Sequence, residues 1–158
     1  MKNRVFEIVE PLVDIFPEYH PDAADINESL DYGVASCAVR AYASALLLNE
    51  IFPNKNLYDI QYGYSPEHGG EYQGNNGTYL KMGHAVVRLW IPGSQPLVVE
   101  SYNNSAIEVV YPNETHGDYI WGDAQANYES YLEIAGQDDI EIRPKELLGC
   151  LKKLIGYK

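Results

Sequence analysis

Cys37 is the residue of this sequence best placed to act as a nucleophile. It follows a turn, in the stretch Gly-Val-Ala-Ser-Cys-Ala-Val-Arg at 33–40, and the preceding Ser36 is a suitable N-cap for a helix. The N–H groups at a helix N-terminus favour a thiolate, so a cysteine there titrates below its usual pKa of about 8.5. Arg40, one turn further on, either adds positive charge near the sulfur or points into solvent. The alternative is that Cys37 is a small buried apolar residue.

A base and an acid follow Cys37 in the chain. His84 begins a β-rich run over 84–91, and Glu100 lies near the end of the next predicted strand, 97–102. Cysteine-dependent acyl transfer needs a nucleophile, a base and a group that orients the base. The sequence therefore predicts a catalytic set of Cys37, His84 and Glu100.

The pairing of these two strands decides whether the acid reaches the base. With a five-residue turn, Glu100 lies opposite Arg88, and four strand residues, about 13 Å, separate it from His84. A longer loop or a bulge would slide the register by two to four positions and bring the acid to the base. If the register does not slide, Asn103 or Asn104 is the alternative group that would orient the imidazole.

The elements that must position these residues follow from hydrophobic periodicity and from turn residues. A helix beginning at Cys37 is expected to bury one face. Helices are predicted over 3–16 with a break at Pro11, over 37–52, over 124–134 and from Pro144 onwards; strands are predicted over 57–64, 84–91, 97–102, 107–111 and 140–142. The segment 18–32 is predicted to be largely irregular, with one helical turn at most.

The residues just before His84 have the composition of a loop. Asn76 and Gly77 are a strong type I′ turn signal, which predicts a small hairpin flap within 65–81. Tyr62, Tyr64 and Tyr79 lie between the nucleophile and the base. We predict that they line an aromatic groove for the substrate, and ordinary strand packing is the alternative.

Composition limits the classes of function. The chain has 158 residues, of which 46% are hydrophobic, so we expect one globular domain over 1–158. No apolar run approaches the roughly 20 residues of a membrane span, and we expect a cytoplasmic protein. The net charge of -12 argues against nucleic acid as a partner. The four histidines lie far apart, so neither a metal site nor a cofactor is expected.

The cysteine count gives no sign of a disulfide framework. Cys37 and Cys150 are the two cysteines, and in a cytoplasmic chain they are expected to be reduced. Cys150 lies inside the predicted C-terminal helix, where the helix dipole does not activate it, and we interpret it as inert packing.

Taken together, these motifs resemble those of the transglutaminase-like superfamily. The family places a cysteine at a helix N-terminus, then a segment such as His-Ala-Trp-Val-Glu-Val, a Pro-Gly turn and an apolar strand that ends in Asp. Here the corresponding segments are His-Ala-Val-Val-Arg-Leu at 84–89, Pro-Gly at 92–93 and Leu-Val-Val-Glu at 97–100. The resemblance covers about residues 31–102, and Glu100 stands where the family usually has Asp.

The resemblance implies a fold and an activity. The fold would be α+β with a papain-like core, in which N-terminal helices pack on an antiparallel sheet and a C-terminal helix follows. The activity would be hydrolysis of a peptide or amide bond through a Cys-His-Glu triad. Two alternatives remain open: a catalytically inactive domain of this fold that binds a peptide, glycan or partner protein, and an interaction protein with an acidic face for a basic partner. The sequence does not predict an oligomeric state.

Overall fold

The computed structural model describes most of the chain as helices and strands around one apolar core. It describes residues 2–20, 23–52, 59–65, 71–73, 79–81, 84–90, 93, 95–101, 107–112, 119–134, 136–137 and 139–156, without the side chains of 65, 71–73 and 79–81. The helices are α1 (Lys2–Val9), α2 (Leu12–Ile15), α3 (Ile26–Tyr32), α4 (Cys37–Ile51), α5 (Ala124–Ile134) and α6 (Pro144–Ile155). The strands are β1 (Glu18–Tyr19), β2 (Val34–Ala35), β3 (Asp59–Ser65), β4 (Glu71–Gln73), β5 (Tyr79–Lys81), β6 (His84–Trp90), β7 (Leu97–Ser101), β8 (Ile107–Val110) and β9 (Ile120–Gly122).

Helix α4 is the centre of the fold. The Ser36 Oγ atom accepts a hydrogen bond from the Val39 N–H at 3.4 Å, so the helix begins with its predicted cap. The helix contacts β3, β6 and β7 of the sheet and also α1, α2, α5 and α6. It is therefore buried on nearly all sides, and the expectation of a single buried face is wrong. A helix that is apolar around its whole circumference packs inside a protein in this way.

The main sheet has five strands in the order β8-β7-β6-β3-β9, and every neighbouring pair is antiparallel. The long pairing of β3 with β6 runs from Asp59 opposite Trp90 to Ser65 opposite His84. His84 is thus the first residue of a central strand. The sheet and the helices together make an α+β fold.

The segment before Cys37 is more ordered than its composition suggests. Helix α3 is capped at its N-terminus by Asp25, whose side chain accepts a hydrogen bond from the Asn27 N–H, and at its C-terminus by Gly33, which has a φ of 72°. Left-handed backbone of this kind favours glycine. Strand β1 then pairs with β2 in parallel, with Tyr19 opposite Ala35. This pairing places Tyr19 beside Ala35, which precedes Cys37 by two residues in the chain.

Other elements agree with the pattern in part. The N-terminal helix divides at Pro11 as predicted, and β4 pairs with β5 as an antiparallel hairpin. The Asn76-Gly77 turn lies outside the described residues. The strand predicted at 140–142 is wrong: Ile140 and Ile142 pack against the core from irregular backbone, and the Ile140 N–H bonds the Gln137 carbonyl.

No helix among the described segments is both long enough and apolar enough to cross a lipid bilayer.

Candidate functional site

The structure brings His84 and Glu100 into hydrogen-bonding contact. The His84 Nε2 and Glu100 Oε1 atoms are 3.1 Å apart. Leu97 of β7 pairs with Leu89 of β6. The pairing is therefore offset by two residues from the register that a five-residue turn implies. Glu100 and His84 consequently become diagonal neighbours across two strands, a separation that long side chains can bridge. The distance of about 13 Å that the shorter turn implied does not occur.

The Cys37 side chain hydrogen-bonds to His84. The three predicted residues thus form one chain of contacts from thiol to imidazole to carboxylate. The side chains are largely withdrawn from solvent, with Cys37 5% exposed, Glu100 3% and His84 19%, so the imidazole presents the most accessible surface.

The surroundings of the thiol favour its ionised form. Burial by itself raises the pKa of Cys37, but hydrogen bonds from His84, from the backbone N–H of Ala85 and from Tyr19, together with the charge of His84, leave the pKa below its ordinary value. Three donors converge on one sulfur atom. A thiolate at this position is therefore stabilised by specific contacts as well as by the helix N-terminus.

The imidazole is held in its charged form by its two neighbours. Burial lowers the pKa of His84, whereas hydrogen bonds and charge interactions with Cys37 and Glu100 raise it, and the result is a pKa of about 9. A lowered thiol pKa beside a raised imidazole pKa describes a thiolate–imidazolium pair. This is the ionic state in which a cysteine attacks a carbonyl carbon without a separate deprotonation step.

Tyr19 is a contact of the thiol that the sequence pattern did not identify. Its hydroxyl hydrogen-bonds to Cys37, and its pKa is raised above the ordinary value, chiefly by burial and then by Cys37. The contact depends on the two-residue β1–β2 pairing between segments that are distant in the chain. No periodicity or motif in the residues around Tyr19 signals such a pairing.

Arg40 lies close to the contact between Tyr19 and Cys37 and does not point into solvent. It is 1% exposed, its Nη2 donates to the Phe16 carbonyl at 2.8 Å, and its guanidinium carbon is 5.6 Å from the centre of the Tyr19 ring. Burial lowers the pKa of Arg40, while Tyr19 and Cys37 oppose that shift. The buried Arg40 guanidinium thus lies near both the Cys37 thiol and the Tyr19 phenol.

Tyr119 is a second tyrosine near the charged residues. Its pKa is raised to about 12, first by burial and then by Glu100 and Cys37. Its ring centre is 5.3 Å from that of Trp121, which belongs to β9. Because β9 was not predicted, this side of the site was also not foreseen.

The tyrosines predicted to line a groove occupy different places. Tyr62 is fully buried, and its hydroxyl donates to the Ala38 carbonyl at 3.1 Å. Tyr64 is 8% exposed and also belongs to the core. Both lie on strand positions under the helices, so they do not offer ring faces to a substrate. The Tyr79 side chain, like the alternative orienters Asn103 and Asn104, lies outside what the structure describes.

The second cysteine is separate from this site. Cys37 and Cys150 are both free thiols. Cys150 is exposed on α6, so the interpretation of it as a packed core residue is wrong. The predicted periodicity of α6 is nevertheless present, because Leu147 and Leu151 are its buried residues.

Within the described part of the chain, no group of three or more His, Cys, Asp or Glu side chains is arranged to hold a metal ion.

Comparisons of the chain with protein-family models, with curated proteins and with solved structures find no match.

Proposed function

We propose that this protein is a cysteine-dependent acyl-transfer enzyme that hydrolyses a peptide or amide bond, with a papain-like core of the transglutaminase-like kind. The observation that supports the proposal best is the continuous contact chain from Cys37 through His84 to Glu100. Each member has the role that its chemistry suits: nucleophile, acid–base group and orienting carboxylate.

The reaction begins when the Cys37 thiolate attacks the carbonyl carbon of the substrate. A carbon–sulfur bond forms, and the carbonyl π electrons move onto oxygen. When the carbonyl re-forms, the bond to the leaving amine breaks and the amine takes a proton from the His84 imidazolium. His84 then removes a proton from water, the water oxygen attacks the thioester, and the carbon–sulfur bond breaks to return the thiolate.

The ionic state of the site suits this sequence of steps. The pair is charged over the interval between the lowered pKa of Cys37 and the His84 pKa of about 9. Glu100 keeps the imidazole ring oriented and stabilises its positive charge through the 3.1 Å contact. The same carboxylate therefore supports both the resting ion pair and the proton transfers.

The alternative of an inactive binding domain is less well supported by the placement of the tyrosines. In that alternative the predicted tyrosine groove would bind the ligand, but Tyr62 and Tyr64 are buried in the core. Within the described residues, the polar contacts of the site converge on a sulfur atom, which suits a nucleophile better than a passive binding surface.

The first test uses p-nitrophenyl acetate, a small activated ester, with protein in which Cys150→Ser removes the exposed thiol. We expect a burst of p-nitrophenol and a single acetyl group on Cys37, identified by peptide mass spectrometry, because the thiolate attacks the ester before water releases the product. Replacing Cys37 with Ala in this background should abolish both signals while the melting temperature changes little. An unchanged burst in that variant, or no acetylation of Cys37, would contradict the proposed function.

A further inference from the structure

The proposed reaction needs hydrogen-bond donors for the negative oxygen that develops when the thiolate attacks a carbonyl. Such donors act about 3 Å from the position of the oxyanion, and removing one commonly costs 10²–10³ in rate. The backbone N–H of Cys37, at the start of α4, is one suitable donor. The donor that completes the site must come from another element.

Tyr19 is suitably placed to be that donor. Its hydroxyl already hydrogen-bonds to the Cys37 side chain. During the attack, negative charge moves from the Cys37 sulfur to the carbonyl oxygen of the substrate. The tyrosine reaches the site on β1, whose pairing with β2 places Tyr19 opposite Ala35, just before the helix. A donor that contacts the sulfur in the resting enzyme lies within a small movement of a carbonyl oxygen bonded to a carbon on that sulfur.

The surroundings of Tyr19 keep its hydroxyl protonated and polarised. Burial raises the pKa of the phenol, so it does not ionise beside a thiolate. The buried Arg40 guanidinium, 5.6 Å from the ring centre, opposes that shift and so draws electron density from the phenol. A neutral hydroxyl next to a cation is a stronger hydrogen-bond donor than an isolated phenol.

We propose that the Tyr19 hydroxyl is a catalytic oxyanion donor, which holds the thiolate in the resting enzyme and transfers its hydrogen bond to the developing oxyanion, and that Arg40 positions it. This inference rests on the proposed acyl-transfer function. No proton leaves Tyr19 at any step, because only the acceptor of its hydrogen bond changes, from sulfur to oxygen. Arg40 acts through the ring of Tyr19 and through its 2.8 Å bond to the Phe16 carbonyl, which holds the chain just before β1.

Two reagents distinguish an oxyanion donor from a group that merely activates the thiol. Attack on p-nitrophenyl acetate passes through a tetrahedral oxyanion, whereas alkylation by iodoacetamide occurs at a saturated carbon and creates none. Both rates are measured at pH 7.5 in the Cys150→Ser protein and in the same protein carrying Tyr19→Phe, which keeps the ring against Arg40. We expect acetylation to fall about 100-fold and alkylation to change less than about threefold.

The matched control is Tyr42→Phe, which makes the same tyrosine-to-phenylalanine change at a residue of α4. Its hydroxyl is buried and has no hydrogen-bond partner within the described part of the structure. Both rates should be unchanged in this variant, and melting temperatures of the two variants separate loss of the hydroxyl from loss of the fold.

The outcomes separate this inference from the function on which it rests. If the Cys150→Ser protein acetylates and Tyr19→Phe acetylates equally fast, the role of Tyr19 is refuted while acyl transfer stands. If Tyr19→Phe loses both rates equally although it is folded, Tyr19 activates the thiol and is not an oxyanion donor. If the Cys150→Ser protein itself does not acetylate at Cys37, both proposals fail.

Discussion

At the scale of single residues, the most informative side chain is Glu100, a carboxylate that is 3% exposed. An isolated buried carboxylate is costly, but the imidazolium of His84 at 3.1 Å offsets that cost. The contact also raises the pKa of His84, so the acid, the base and the thiol are energetically coupled. Changing any one of them is expected to change the ionisation of the others.

This coupling leads to a prediction for Glu100→Gln. The amide keeps the shape of the side chain and removes its charge, so the His84 pKa should fall from about 9. Acetylation of Cys37 should slow by roughly 10–100-fold because the imidazolium loses its orienting partner. NMR titration of the His84 ring protons measures the first effect, and p-nitrophenyl acetate measures the second.

The matched control for that change is Glu133→Gln, which alters an exposed carboxylate on α5. It should leave both the imidazole titration and the acetylation rate unchanged. An unshifted His84 pKa in Glu100→Gln would show that the carboxylate does not sustain the imidazolium.

At the scale of elements, the site depends on a sheet whose strands fit closely at Gly63 of β3. A Cβ atom at that position would lie 2.6 Å from a ring carbon of Trp121. The Arg88 guanidinium lies 4.3 Å from the centre of the same indole ring. Trp121 is paired directly with Gly63 across the β3–β9 ladder. The missing side chain thus leaves room for the Trp121 indole over β3, in the sheet that carries His84 on β6.

Gly63→Ala should therefore destabilise the protein by about 1–3 kcal/mol, because the indole must move out of its packed position. The matched control is Gly149→Ala on the exposed side of α6, where a new Cβ meets nothing within 4 Å. That change should stabilise the fold by about 1 kcal/mol, since alanine is the better helix former. Urea unfolding of the two variants measures both changes in the free energy of unfolding. Equal stability of Gly63→Ala and the parent protein would contradict the packing argument.

The same elements show which parts of the fold a sequence can predict. Helix α4 was predictable because Ser36 caps it and Pro53 follows its end, and α5 because its periodicity is sustained. The short strand β9 was not, since its three residues lie among Gly and Asp and are held in place by pairing with β3 and by contacts with α5. The parallel pairing of β1 with β2 likewise depends on tertiary contacts.

At the scale of the whole molecule, the candidate site is assembled from four places in the chain. Cys37, His84 and Glu100 were predictable as residue types at element ends, whereas their contact depended on a register that loop length alone could not fix. Tyr19 comes from a segment without a motif, and Arg40 had two possible directions until the packing of α4 was known. Residue chemistry predicted the candidate nucleophile and base, whereas the contacts of Tyr19 and Arg40 follow only from the tertiary structure.

We predict a characteristic pH dependence for the ionisation of the Cys37 thiol. Below the lowered pKa of Cys37 the sulfur gains a proton, and above about pH 9 the imidazolium loses one. The charged pair should therefore persist across the interval between those values, in which an ordinary thiol changes from almost wholly protonated to largely ionised. The proposed activity depends on this pair.

The most direct measurement of the central claim is the rate of Cys37 alkylation by iodoacetamide from pH 5.5 to 8.5 in the Cys150→Ser protein. We predict an alkylation rate that falls much less than tenfold for each pH unit below 8, because the lowered pKa of Cys37 keeps the thiolate at pH values at which an ordinary thiol is protonated. A rate that falls about tenfold for each pH unit below 8, or a thiol that iodoacetamide does not reach at any pH, would contradict it.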